Sequence, residues 1–101
     1  MNAQIQFSIG DAYEVMNKPE LAVEAYFKVP YLYEKDQLWV VKACLRIAKI
    51  YENQENWQKA LSVYQKVIDL KVEESKFAEE RSGRLKDIIS KSVSVPVEKQ
   101  P

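Results

Sequence analysis

The chain has no histidine, a single cysteine and only two glycines in 101 residues, and its 15 Lys+Arg are balanced by 15 Asp+Glu. Each shortage excludes something. Without histidine, and with Cys44 alone, the chain cannot assemble a Cys/His zinc site, a His-based triad or a disulfide framework. There is also no glycine-rich loop to cradle a phosphate, so no cofactor, no metal and no enzyme activity are expected. A net charge of zero supplies no global field to follow a phosphate backbone or an anionic bilayer, so nucleic acid and membrane are not expected partners. No stretch approaches the roughly 20 apolar residues that span a bilayer. Residues 1–10 lack the basic start and apolar middle of a secretory signal, so the chain reads as soluble and untargeted. It can equally be a segment of a longer protein, which leaves its compartment open.

What is present favours helix. Ala, Leu, Glu, Lys and Gln dominate, hairpin signals are few, and the fold class expected is all-α. The punctuation divides the chain into five helices near 3–16, 19–33, 37–53, 57–70 and 75–91. Pro19-Glu20 opens the second, because proline suits a first turn and an acid there meets the helix dipole. Asp36, Asn56 and Ser75 are the expected N-caps of the third, fourth and fifth. Pro30 removes a hydrogen bond and crowds the carbonyl of Tyr26, so a kink or an early end near Val29 is expected. The short loops favour antiparallel neighbours. Apolar residues recur three and four apart, as in Ile5, Ile9, Ala12, Tyr13 and Met16 of the first helix and Val40, Ala43, Cys44, Ile47, Ala48 and Tyr51 of the third, which predicts buried stripes. Residues 92–101 hold two prolines and little to pack, and read as a flexible tail.

The sequence also repeats itself. At a shift of 38 residues, Ile9 meets Ile47, Tyr13 meets Tyr51, Glu14 meets Glu52, Ala22 meets Ala60, Tyr26 meets Tyr64, Lys28 meets Lys66 and Val29 meets Val67. A helical hairpin repeated at such a period indicates a solenoid in which each unit buries its face against its neighbours. The units, Ile9-Gly10-x-x-Tyr13 with Ala22-x-x-x-Tyr26 and Ile47-Ala48-x-x-Tyr51 with Trp57 and Ala60-x-x-x-Tyr64, resemble the tetratricopeptide repeat. Their extra length over the usual unit is similar to that in longer bacterial repeat proteins, of which the chain would be a C-terminal segment. The resemblance implies an α-α superhelix: repeat one over 3–35, repeat two over 36–72 and a capping helix over 75–91, together one domain over 1–91.

In that family the concave surface is lined by the first helix of each repeat, helix A, and takes peptides or protein partners. Carried onto this chain, the resemblance implies a non-catalytic interaction module. The candidate partner-binding residues are Phe7, Asp11 and Glu14 on the first helix and Lys42, Arg46, Lys49, Glu52 and Asn53 on the third. Lys42, Arg46 and Lys49 share one stripe and could receive a carboxylate, unless the neighbouring acids neutralise them. The family's carboxylate clamp is not expected, because Phe7 and Asp11 occupy positions where it needs Asn and Lys. Phe27, Tyr31, Leu32 and Tyr33 form either an exposed aromatic anchor or packing at the inter-repeat joint. Cys44 reads as a small buried hydrophobe. The alternative function is assembly: the chain starts directly in a helix A, and Ile5, Phe7 and Ile9 could dock this uncapped end onto the rest of a longer array or onto another copy.

Overall fold

The structure, a computed structural model, describes the backbone of residues 1–98 and the side chains of residues 1–91. It consists of five helices: α1 (Ala3–Val15), α2 (Pro19–Leu32), α3 (Gln37–Asn53), α4 (Trp57–Asp69) and α5 (Ser75–Glu98). Each packs on the next, and α1 also touches α3, so alternate helices form two layers of an elongated body measuring 58 × 31 × 17 Å. This is an all-α fold consistent with a helical superhelix.

The turns work with almost no glycine. Asn17, Glu55 and Lys71 adopt φ of 60°, 57° and 54°, the left-handed region, two residues beyond the ends of α1, α3 and α4. After α1, the Asn17 and Lys18 amides donate to the carbonyls of Glu14 and Tyr13; after α3, those of Glu55 and Asn56 donate to Glu52 and Tyr51. These are matching Schellman closures 38 residues apart, and they satisfy carbonyls that would otherwise end unpaired. Asn56 caps α4 by accepting from the Lys59 amide at 3.4 Å, and Asn2, unforeseen in the sequence, caps α1 by accepting from Ile5 at 2.9 Å.

Other expectations about the helix ends need correction. Asp36 sits at the N-cap of α3, but its side chain makes no capping bond. Ser75 is the first residue of α5 rather than its cap: its hydroxyl donates to the Val67 carbonyl and accepts from the Val72 amide, both at 3.0 Å, tying the α4–α5 turn together. The second helix does not end early at Pro30. It continues to Leu32, and the Tyr33 amide still reaches the Val29 carbonyl at 2.8 Å, because a proline this close to the C-terminus removes only one bond. The fifth helix likewise runs past Lys91 to Glu98, so residues 92–98 are helical where a flexible tail is expected from the sequence. Serine and valine there are only weakly unfavourable in a helix, and nothing before Pro96 breaks it. The remainder of that expected tail, 99–101, lies outside the described residues.

The core follows the repeat. Ala22, Tyr26 and Val29 of α2 and Ala60, Tyr64 and Val67 of α4 are fully buried, with Val41, Ala43, Cys44, Ile47 and Ala48 of α3 between them. In α1 the buried positions are Ala3, Gln6 and Gly10, which correspond to Val41, Cys44 and Ala48. Gly10 is required to be small: a Cβ there would lie 2.5 Å from the Tyr26 ring. Ile5, Ala12 and Met16 of the expected apolar stripe are exposed and Ile9 and Tyr13 only half-buried, because none of the described helices lies over that side of α1. Tyr31 and Leu32 are exposed, so of the aromatic run only Phe27 and Tyr33 pack against the core.

Candidate functional site

Helices α1, α3 and α5 present one side of the structure, and their side chains meet in two equivalent clusters. In the first, the Tyr26 hydroxyl of α2 lies 2.6 Å from Glu14 and 2.5 Å from Asp11 of α1. Arg46 of α3 then pairs with Glu14 through Nε and Nη2 at 2.9 and 2.7 Å. In the second, Tyr64 of α4 donates to Glu52 of α3, and Arg81 of α5 pairs with the other oxygen of that carboxylate. Each cluster therefore joins a carboxylate, the tyrosine twelve residues later in the same repeat, and an arginine from the following repeat. Arg81 follows Arg46 by 35 residues instead of 38, as do Ala78 after Ala43 and Leu85 after Ile50, so α5 is a third helix A reached by a shorter turn.

The electrostatics follow from these contacts. Burial raises the Glu52 carboxyl, but hydrogen bonds from Arg81 and Tyr64 and the charges of Arg81 and Lys49 outweigh it and hold the group below its ordinary range. Burial together with the adjacent carboxylates pushes Tyr26 and Tyr64 well above the usual phenol range. The clusters differ at one position: Asp11, the second acid near Tyr26, is replaced by Lys49 in repeat two.

The candidate binding residues therefore divide. Glu14, Asp11 and Arg46 are consumed by the first cluster, and Glu52, only 7% exposed, by the second. Phe7 stacks at 5.1 Å on Tyr26 and 5.3 Å on Trp39, which places it between the repeats instead of on the uncapped end with Ile5 and Ile9. Asn53 lines a shallow cavity of about 280 Å³ with Glu14, Asn17 and Pro19, at the loop end of the helices. Among the described residues, Lys42 and Lys49 remain exposed and in no ion pair, with the Lys42 ammonium 4.5 Å above the Trp39 ring. Arg46 is the element that sequence reasoning assigned to ligand binding, whereas Arg81 was not among the candidates; the pairing signal was the recurrence of Glu and Tyr twelve residues apart in both repeats.

Cys44 is buried on the core stripe, and burial pushes its thiol up, which makes it unreactive. Among the described residues no group of His, Cys, Asp and Glu is arranged to hold a metal ion, and no helix is long and apolar enough to cross a membrane.

No curated protein and no solved structure matches the chain. The family model for soluble NSF attachment protein, SNAP, matches residues 1–79, from α1 into the first turns of α5. The family is one of helical, adaptor-type protein-interaction domains. With more than half of its length matched, the chain belongs to the soluble NSF attachment protein family.

Proposed function

We propose that the chain is a tetratricopeptide-type interaction module that binds an acidic peptide or protein segment across the face of α1, α3 and α5, with no catalytic step of its own. The observation that carries this reading is the pair Lys42 and Lys49, the cations of α3 left over once Arg46 has closed on Glu14. They lie seven residues apart, two turns of one stripe, with Trp39 beside the first. An exposed ammonium costs little to present, and a carboxylate arriving with an apolar neighbour could use both the charges and the half-buried indole. Arg84 continues the pattern on α5 at the position equivalent to Lys49.

The test is partner capture from lysate by the immobilised chain, compared with a Lys42→Glu/Lys49→Glu variant. Neither lysine is in the core, so the fold should be retained. Capture is expected to fall sharply in the variant and to weaken with added salt, as exposed charge pairs do. Unchanged capture would remove this face from consideration.

A further inference from the structure

We propose that the α2–α3 turn is a second docking site, which takes a basic segment of a partner protein carrying arginine or lysine between apolar residues. Three apolar side chains stand out from this turn into solvent: Tyr31 and Leu32 at the end of α2 and Leu38 at the start of α3 are 83%, 56% and 58% exposed. Between them the connection folds around a cavity of about 330 Å³ lined by Leu32, Tyr33, Glu34, Lys35 and Asp36. Both helices are packed on two sides, α2 by α1 and α3, and α3 by α2 and α4, so the turn belongs to a completed joint.

Packing does not call for apolar residues here. The equivalent of Tyr31 in the second repeat is Asp69, and Leu38 falls, at the shift of 35 that α5 follows, on Glu73; both are charged and exposed. The fold closes its other turn of this kind with polar residues, so the tyrosine and leucine at the first are surplus to it. Two observations select the occupant. Glu34 and Asp36 are exposed, and among the described residues neither makes an ion pair; Asp36 sits at the N-cap of α3 without a capping bond. Together they outnumber Lys35, the one base in the cavity wall. Tyr31, just before them in the chain, offers a largely bare aromatic ring, and such a ring attracts a guanidinium or ammonium to its face. An aromatic face with free carboxylates suits a cation, and Leu32 and Leu38 suit apolar residues on either side of it. An anionic membrane surface would instead meet like charges at Glu34 and Asp36.

Fluorescence anisotropy of a labelled Leu-Arg-Arg-Leu repeat peptide titrated with the full chain tests this, with the peptide carrying glutamate in place of arginine as control. The arginine peptide is expected to bind, more weakly as salt is added, and the glutamate peptide not to bind. Tyr31→Ala is expected to weaken binding about fivefold and Glu34→Gln/Asp36→Asn about tenfold. Lys35→Ala removes the opposing charge and is expected to tighten it. The α4–α5 turn provides an internal control, since its cavity is also lined by two acids and a lysine, Glu73, Glu74 and Lys76, but has no exposed tyrosine. Glu73→Gln/Glu74→Gln is therefore expected to leave binding nearly unchanged. All these side chains, Tyr31 included, lie on the surface, and each variant is expected to keep the helical circular dichroism of the parent. Failure of the arginine peptide to bind, equal binding of the glutamate peptide, or indifference to Tyr31→Ala overturns the proposal. So does preference of the chain for phosphatidylserine vesicles over the peptide. A loss from Glu73→Gln/Glu74→Gln as large as that from Glu34→Gln/Asp36→Asn would reveal attraction by acidic charge at large and overturn the assignment to this turn.

Discussion

Arg46 grips Glu14 across the joint between the two repeats through two parallel hydrogen bonds, at 2.7 and 2.9 Å, while the same carboxylate accepts from the Tyr26 hydroxyl. The second joint repeats the arrangement with Arg81, Glu52 and Tyr64, but deeper: the Glu52 side chain is 6% exposed against 23% for Glu14.

That difference in depth separates the two joints in stability. Glu52→Ala strands the Tyr64 hydroxyl and the Arg81 guanidinium, and is expected to cost about 3 kcal/mol, as for a broken buried pair. Glu14→Ala is expected to cost only about 1 kcal/mol, since water reaches both partners there and Asp11 remains for Tyr26. Urea unfolding monitored by circular dichroism measures both, and equal losses would contradict the difference in burial.

The same residues predict the response to pH. The Glu52 carboxyl is held below its usual 4.5 in the folded chain, so on acidification the unfolded state takes up its proton first. The stabilisation is complete above the ordinary glutamate range and is lost as pH falls through the lower, folded value. Tyr26 and Tyr64 act at the other end. Their phenols are raised above the usual 10.0, so their contribution is intact below that value and declines as pH rises beyond it towards the folded one. Phenolate absorbance should show these two of the six tyrosines titrating last. A single step at the ordinary phenol range would contradict their burial.

Glycine to alanine should have opposite effects at the two glycines. At Gly10 the new methyl meets the Tyr26 ring at 2.5 Å and must displace it, which is expected to cost about 2 kcal/mol by overpacking. At Gly83 nothing lies within 4 Å, and the gain in helix propensity is expected to stabilise by about 0.5–1 kcal/mol. Thermal melts of the two variants should shift in opposite directions.

Ser82 occupies the α5 position that corresponds to Ile47, buried, with its hydroxyl lacking a hydrogen-bond partner. Ser82→Ala removes an unsatisfied polar atom and is expected to raise stability by about 1 kcal/mol. A loss in denaturant midpoint would show that the hydroxyl is satisfied in solution.

Glu55 and Lys71 carry left-handed backbone where a β-carbon is disfavoured. Glu55→Gly and Lys71→Gly are each expected to stabilise by roughly 0.5–1 kcal/mol. Their effects should add, since they close different turns. Destabilisation in both melts would refute the assigned strain.

How far these features were legible depended on their range. The helices stood out because repeat periodicity, Pro19 and Asn56 are local signals, and each helix begins within a residue of its expected place. The left-handed turns at Asn17, Glu55 and Lys71 did not, because only asparagine advertises that conformation and the turn is imposed by packing on both sides. Glu14 and Glu52 were recognised as equivalent, but their partners lie 32 and 29 residues away on another helix, beyond any local pattern. Arg46 accordingly reads as a surface cation in the sequence and is a joint in the fold. Of the two outcomes expected at Pro30, a kink or an early end, the early end does not occur: one lost bond near a helix end is small beside the burial of Tyr26 and Val29.

Because the arginine always comes from the following repeat, neither carboxylate is ion-paired within its own hairpin, although Lys49 adds its charge near Glu52. A hairpin cut out alone would keep Glu and Tyr and lose its arginine, so the joints give the array a polarity: α5 secures repeat two, and repeat two secures repeat one. Amide exchange should accordingly be slowest in α2, α3 and α4, each flanked on both sides, and faster in α1, whose leading edge nothing in the described chain secures. The direction in which this protein comes apart is thus written into the placement of two arginines.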